Sequence, residues 1–238
     1  MINTEDYLNS QNYHLWEYLS KKFAISLRSS KTPYYEISII KKKLFHKQRA
    51  VIFVNDNDKS HSSFTHELLH LKLHNDGINI YGVYTKAVLK KSRLQFLFNN
   101  DFRNQICNML DHTLMINDYL KMGFNEWDFL ADNNVPLIDD FRIMVMARQF
   151  KNQNTIREGY LNLVGTYISI KCKNLEYTEY ATYVKTMLSM NSELIDIIDE
   201  FFIMWNYCKI TQNKIQIKKA ITIFVDKLYI KAQHYEIV

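Results

Sequence analysis

The chain has 238 residues and a formal net charge of +5, with 47% hydrophobic and 23% charged residues. This length and composition suit one large globular domain, or a catalytic domain with an added lobe. The lysines are scattered and no nucleic-acid motif is recognised, so we expect no nucleic-acid partner. The 5 glycines and 2 prolines are few, which indicates long helices and few tight turns.

The sequence also gives indications of the cellular compartment in which the protein works. Its beginning is acidic and polar, without the apolar core of a signal peptide. No run approaches the ~18 apolar residues that span a bilayer, so we expect a cytoplasmic protein with no membrane partner. Cys107, Cys172 and Cys208 lie far apart and form no C-x-x-C pair. We interpret them as reduced and mostly buried, neither in disulfides nor bound to zinc.

The first third of the chain is predicted to contain both helices and strands. In chain order the sequence predicts a helix, two strands and a second helix, over residues 4–28, 34–42, 49–55 and 62–75. The second strand is a short, apolar, β-branched run typical of a buried strand. The polar loop after it leads into the second helix, with Ser62, Ser63 and Thr65 as N-cap candidates. Asn75, Asp76 and Gly77 then stop this helix.

The rest of the chain is predicted to be mostly helical. Residues 78–89 form either a short extended segment or an irregular loop, and one or two helices over 92–122 end at Gly123. Pro136 breaks an Asn-rich loop. Amphipathic helices follow over 139–151, 155–171, 176–190, 192–208 and 213–232. The predicted class is α+β: a small core over 1–135 that contains the strands, then a helical lobe over 136–238 packed with it as one body.

The most informative motif is His66-Glu67-Leu68-Leu69-His70, which reads H-E-x-x-H. Positions four apart lie on one face of a helix, so His66 and His70 can bind the same metal ion. Glu67 is next to the first ligand and can act as the base in metal-assisted hydrolysis. An ordinary amphipathic helix is the alternative interpretation. The preceding strand and loop favour a zinc site, with the edge of the sheet beside the cleft.

A catalytic zinc ion needs a third protein ligand. Polar residues recur at three- and four-residue steps along 101–112, which is either a solvated face or the completion of the site. His112 is the preferred candidate, then Asp111, with Asp101 below them. His74 is about 12 Å from His66 along the helix axis, too far to share the ion. His61 is interpreted as a residue of the surface loop.

Residues 51–55 and 64–74 resemble the ImmA/IrrE family of metallopeptidases, in which a strand ending in Asn and a polar loop precede an H-E-L-x-H helix. The resemblance implies a zincin-like fold, His66 and His70 as zinc ligands, Glu67 as base and cleavage of a regulatory protein. The chain departs from the family in two places. Leu69 stands where the family often has Gly, and 101–105 only loosely matches the pattern that carries the family's usual third ligand, a Glu.

We therefore expect an intracellular zinc metallopeptidase that hydrolyses a peptide bond in a specific protein substrate. Tyr81, Tyr84 and Tyr160 are candidate donors to the oxyanion, and the sequence does not choose among them. Two alternatives remain. One is a binding or scaffold protein that keeps a zincin-like shape without catalysis, and the other is zinc-dependent hydrolysis of a non-peptide substrate.

Overall fold

The described part of the chain contains one small mixed sheet and is otherwise mostly helical, so the predicted α+β class is confirmed. The computed structural model describes residues 2–32, 34–40, 47–91, 93–129, 138–173 and 180–236. The strands are β1 Phe23–Ser29, β2 Glu36–Ile40 and β3 Gln48–Val54. The helices are α1 Tyr13–Lys22, α2 His61–Asn75, α3 Ile80–Leu89, α4 Leu94–Leu97, α5 Asn100–Lys121, α6 Asp140–Phe150, α7 Ile156–Cys172, α8 Ala181–Thr211 and α9 Lys214–His234.

The chain divides into two compact units, and the division falls inside the continuous helix α5. The first unit comprises Met1–Ile78 and Met115–Asn134, and the second comprises Asn79–Leu114 and Val135–Val238. The predicted core of residues 1–135 and lobe of residues 136–238 stay a prediction. Pro136 and the end of the strand predicted over 34–42 lie outside the described residues.

The sheet of the first unit has the order β1-β3-β2. β3 lies in the middle, parallel to β1 and antiparallel to β2, with Ile52 opposite both Leu27 and Ile37. Most of β3 is buried, as its continuous apolar run predicts. The prediction of a helix over 4–28 is wrong from residue 23 onward, where the chain forms β1. There Phe23, Ile25 and Leu27 alternate with small or polar residues, a period of two that fits a strand.

The helix predicted over 62–75 is confirmed as α2. Its N-cap is Ser60, whose side-chain oxygen accepts a hydrogen bond from the Ser63 N–H at 3.1 Å. The predicted caps Ser62, Ser63 and Thr65 are wrong, because the helix begins at His61, before all of them. His61 is accordingly the half-buried first residue of a helix and not a loop residue. At the other end Gly77 adopts a φ of +74°, as the predicted left-handed cap requires.

In the second unit, both predictions for residues 78–89 are wrong, because α3 is a helix. The Asn79 side chain accepts a hydrogen bond from the Gly82 N–H at 2.7 Å and caps it. Ile80, Tyr84 and Ala87 are buried at helical spacing, and α3 packs against α9. The sequence does not predict this helix, because Gly82 and Tyr84 favour turns or strands. The Asn79 cap and the tertiary packing that stabilise α3 are known only from the structure.

The remaining helices of the second unit lie close to their predicted positions. The two helices predicted over 176–190 and 192–208 correspond to one run, α8, interrupted at Asn191, where the backbone is extended at φ −163° and ψ 85°. Residues 176–179 of the first prediction lie outside the described residues. The Asn191 side chain accepts a hydrogen bond from the Leu194 N–H at 3.0 Å, so it caps the second segment. None of the helices within the described ranges is both long and apolar enough to cross a membrane.

Candidate metal centre

His66 and His70 lie on one face of α2, as their spacing predicts. Their ring centroids are 5.0 Å apart. The helix is fixed by its other faces, where Phe64, Leu68 and Leu71 are fully buried. Both histidines are half-buried, whereas the leucines between them are buried. Packing of the apolar faces therefore presents the two imidazoles together.

His112 joins this pair. One ring nitrogen from each of His66, His70 and His112 can be chosen so that all three lie within 4.8 Å of one another. His112 is on α5, one turn before Met115, the first residue of that helix assigned to the same unit as α2. Zn–N bonds of about 2.0–2.1 Å place tetrahedral ligands about 3.4 Å apart. Small imidazole rotations would bring the three nitrogens onto one ion, so the residues fit a metal.

The structure thus brings together three of the predicted site histidines. Asp111, the alternative third ligand, is the residue before His112 and does not belong to the group. Asp101 is exposed at the start of α5, as are Asn104 and Asn108. Most of the predicted polar stripe is therefore a solvated face, and only its last turn contributes to the candidate site.

The hydrogen bond made by His66 fixes which of its nitrogens can bind a metal. Its Nδ1 lies 2.9 Å from the carbonyl oxygen of Phe129. A carbonyl oxygen only accepts, so Nδ1 carries the proton and donates, and Nε2 keeps its lone pair. Metal-bound histidines are commonly oriented in this way. Burial and the neighbouring His70 lower the pKa of His66 to about 3, which keeps the ring neutral.

Two aromatic residues that sequence reasoning missed hold this arrangement. The Phe129 ring lies 4.8 Å from the His66 ring and 4.8 Å from that of Tyr119. Tyr119 is fully buried on the last part of α5. The helix α5 ends at Lys121, and Gly123, which the sequence predicts to end it, has a φ of +89°. No sequence signal identifies the Phe129 carbonyl, because every residue has one and only the fold chooses which meets His66.

Glu67 is buried beside the histidines, with 7% of its surface exposed. Burial raises the pKa of its carboxyl to about 7, while His70 lowers it and Glu36 on β2 raises it further. A carboxylate that titrates near neutrality is suited to accept and release a proton during a reaction. Its burial also carries a cost, because the charged form is poorly solvated.

That cost predicts that Glu67→Gln stabilises the metal-free protein. The folded pKa lies above the unfolded value of 4.5, so stability is lost as pH rises from 4.5 through 7. The variant should match the wild type near pH 4.5 and exceed it by about 3 kcal/mol above pH 7. Urea unfolding in a chelator, at several pH values, measures this gain. Glu5→Gln, at an exposed site, should show none, and a gain independent of pH would contradict the prediction.

The other predicted residues lie elsewhere. The Nε2 of His74 is 2.9 Å from the side-chain nitrogen of Gln48, and His74 is outside the metal group. The Tyr81 hydroxyl donates to the side chain of Asn100, the Tyr160 hydroxyl donates to the Leu228 carbonyl, and Tyr84 is buried. These three tyrosines belong to the second unit. Cys107, Cys172 and Cys208 are free thiols, two of them buried, as predicted.

Comparisons with known proteins give no match. No family model fits the sequence, and no curated protein or solved structure is significantly similar to it. The function must therefore be inferred from the residues of the chain itself.

Proposed function

We propose that this chain is a cytoplasmic zinc-dependent metallopeptidase that cleaves a specific, regulatory protein substrate. The observation that carries the proposal is the approach of His112 to the H-E-x-x-H pair, with Glu67 beside the first histidine. Three neutral nitrogen ligands next to a carboxylate are the set that a catalytic zinc site uses, because the fourth position stays open. A purely structural site has no need of that carboxylate.

The donor chemistry favours zinc over magnesium and calcium. Imidazole nitrogens suit zinc, whereas magnesium and calcium prefer oxygen ligands. When bound, zinc would lower the pKa of a coordinated water molecule towards neutrality and polarise a substrate carbonyl. His66, His70 and His112 would hold the ion, and the Phe129 carbonyl would keep the His66 ring in its ligating tautomer.

Glu67 supplies the proton transfer. As a carboxylate it accepts a proton from the attacking water, and it then delivers that proton to the amine that leaves when the peptide bond breaks. In the metal-free site burial raises the pKa of Glu67 to about 7. A bound zinc ion would lower that pKa and favour the carboxylate, which is the form that accepts the proton. The buried surroundings also limit the exchange of this proton with bulk water.

A peptide substrate is supported by the position of β2. In the described sheet β2 pairs with β3 on one side only, so it is an edge strand, and it packs against α2. The carboxylate of Glu36 at its start influences Glu67. An edge strand offers backbone groups to which an extended peptide can bind. Membership of the ImmA/IrrE family, with its zincin-like fold and regulatory substrates, is part of the proposal.

The test compares two neighbouring residues of α5. His112→Ala should reduce bound zinc from one equivalent to well below half after dialysis against a weak chelator, because a third ligand is lost. Asp111→Asn should keep the full equivalent. Elemental analysis by mass spectrometry measures both. If the two variants lose zinc equally, or if His112→Ala keeps it, the three-histidine site is wrong.

A further inference from the structure

The end of the hairpin formed by α8 and α9 carries exposed apolar side chains. Ile203, Tyr207 and Ile210 lie at i, i+4 and i+7, on one face of the last turns of α8, and Ile215 lies in the first turn of α9. We call these four residues the apolar tip. Ile210 is 84% and Ile215 is 76% exposed. Clustered exposed apolar surface of this kind usually marks an interaction site.

The apolar tip is not a core face turned outward. The opposite face of each helix is buried: it carries Trp205 and Cys208 on α8 and Ile217 on α9. The turn between them is well defined. The Gln212 N–H donates to the Cys208 carbonyl at 2.8 Å, and the Asn213 side chain caps α9. The four residues are therefore surplus to the packing of the hairpin.

Basic residues surround the apolar tip. The segment 201–225 contains no aspartate or glutamate and no arginine, and its four lysines are Lys209, Lys214, Lys218 and Lys219. The last three are exposed. Lys218 and Lys219 lie three and four residues after Ile215, on its side of α9. Within the described ranges no ion pair involves any of the four lysines.

The acidic residues nearest to this segment along the chain do not offset its charge, because each is paired with a lysine outside the segment. Asp199 lies 2.7 Å from the ammonium of Lys171, and Asp226 lies 2.9 Å from that of Lys91. Glu200 pairs with Lys227. The surface that an approaching partner meets is therefore apolar at its centre and positive around it.

We infer that the apolar tip docks on an anionic lipid surface. A second copy of the chain is disfavoured, because face-to-face contact would bring the two sets of lysines together. Protein interfaces are enriched in arginine and depleted in lysine, the reverse of this segment. Isoleucines with flanking lysines and a tyrosine are instead typical of a surface that enters the boundary between lipid headgroups and acyl chains.

Each side chain has a role in such docking. Ile203, Ile210 and Ile215 would leave water for the acyl boundary, and the Tyr207 ring would lie at the headgroup level with its hydroxyl hydrated. The lysine ammonium groups would bind lipid phosphates, which makes the association dependent on salt. This docking needs no membrane-crossing helix, but it departs from the expectation of no membrane partner. The apolar tip shares no residue with the candidate metal centre, so the inference is independent of the proposed peptidase activity.

Vesicle flotation tests the inference. The 238-residue chain should float with phosphatidylcholine vesicles containing 30% phosphatidylglycerol, but not with pure phosphatidylcholine, and 0.5 M salt should reduce binding at least fivefold. Ile210→Asp should reduce binding at least tenfold. The matched control is Ile230→Asp, at an exposed isoleucine of α9 far from the turn, and it should bind like the wild type. Lys214→Gln combined with Lys218→Gln should also weaken binding.

Three outcomes would overturn the inference. They are absence of flotation, equal binding to both lipid compositions, and equal loss in the Ile230→Asp control. A protein partner would give a different result: the wild type would form concentration-dependent oligomers, or be retained on immobilised poly-glutamate, without binding vesicles. Circular dichroism confirms that the variants are folded, and unchanged zinc content separates this surface from the metal site.

Discussion

Glu67→Gln is expected to slow peptide hydrolysis by about 10²–10⁴-fold while zinc binding is unchanged. Glutamine has nearly the same shape as glutamate and can fill the same buried position, but it cannot accept the proton of the attacking water. The histidines that would hold the ion are untouched. Cleavage of a quenched-fluorescence peptide library measures the rate, and elemental analysis measures the zinc.

A neighbouring acid provides the control for this experiment. Glu36 is exposed on β2 and its charge raises the pKa of Glu67, so Glu36→Gln should change the rate by less than about tenfold. Full activity in Glu67→Gln would exclude the proposed base. Zinc binding without hydrolysis in the wild type would instead favour a scaffold protein.

His70→Ala is expected to abolish both zinc binding and hydrolysis, while His74→Ala keeps both. The loss of a partner in the outer shell of a metal site costs about 10–100-fold in affinity, and the loss of a ligand should cost more. His74 is the matched control because it lies one turn further along α2 and contacts Gln48, outside the metal group. Zinc titration with a competing chromogenic chelator measures both affinities.

Comparison of the two variants shows whether the ion binds at the H-E-x-x-H motif. If His74→Ala weakened zinc binding as much as His70→Ala, the ion would lie at a different place along α2. If neither variant changed zinc binding, the H-E-x-x-H motif would not be a metal site. In both cases the proposal would fail for reasons independent of the substrate, which makes this test useful before any substrate is known.

Sequence reasoning found the parts of the site that depend on local periodicity. The spacing of His66 and His70 on an amphipathic helix is sufficient to place them on one face. The buried run before the helix predicts β3, and Gly77 and Gly123 predict the helix ends. These features depend on backbone conformation within a few residues, which a short window of sequence determines well.

Other features depend on tertiary packing, and sequence reasoning failed or left alternatives there. The sequence predicts a helix over 4–28, but β1 begins at Phe23, because the helical spacing of the earlier residues does not continue to residue 28. The sequence does not predict α3. His112 and Asp111 are adjacent on α5, so no periodicity could choose between them. Only the folded structure decides that His112, and not Asp111, belongs to the group with the two histidines.

The most direct test is a crystal structure of the zinc-loaded protein with anomalous diffraction recorded at the zinc K edge. We expect one anomalous peak, about 2.0–2.2 Å from a single imidazole nitrogen of each of His66, His70 and His112. The His66 nitrogen should be Nε2, with Nδ1 still bonded to the Phe129 carbonyl. A peak coordinated by Asp111 or by a cysteine, or no peak near α2, would contradict the account.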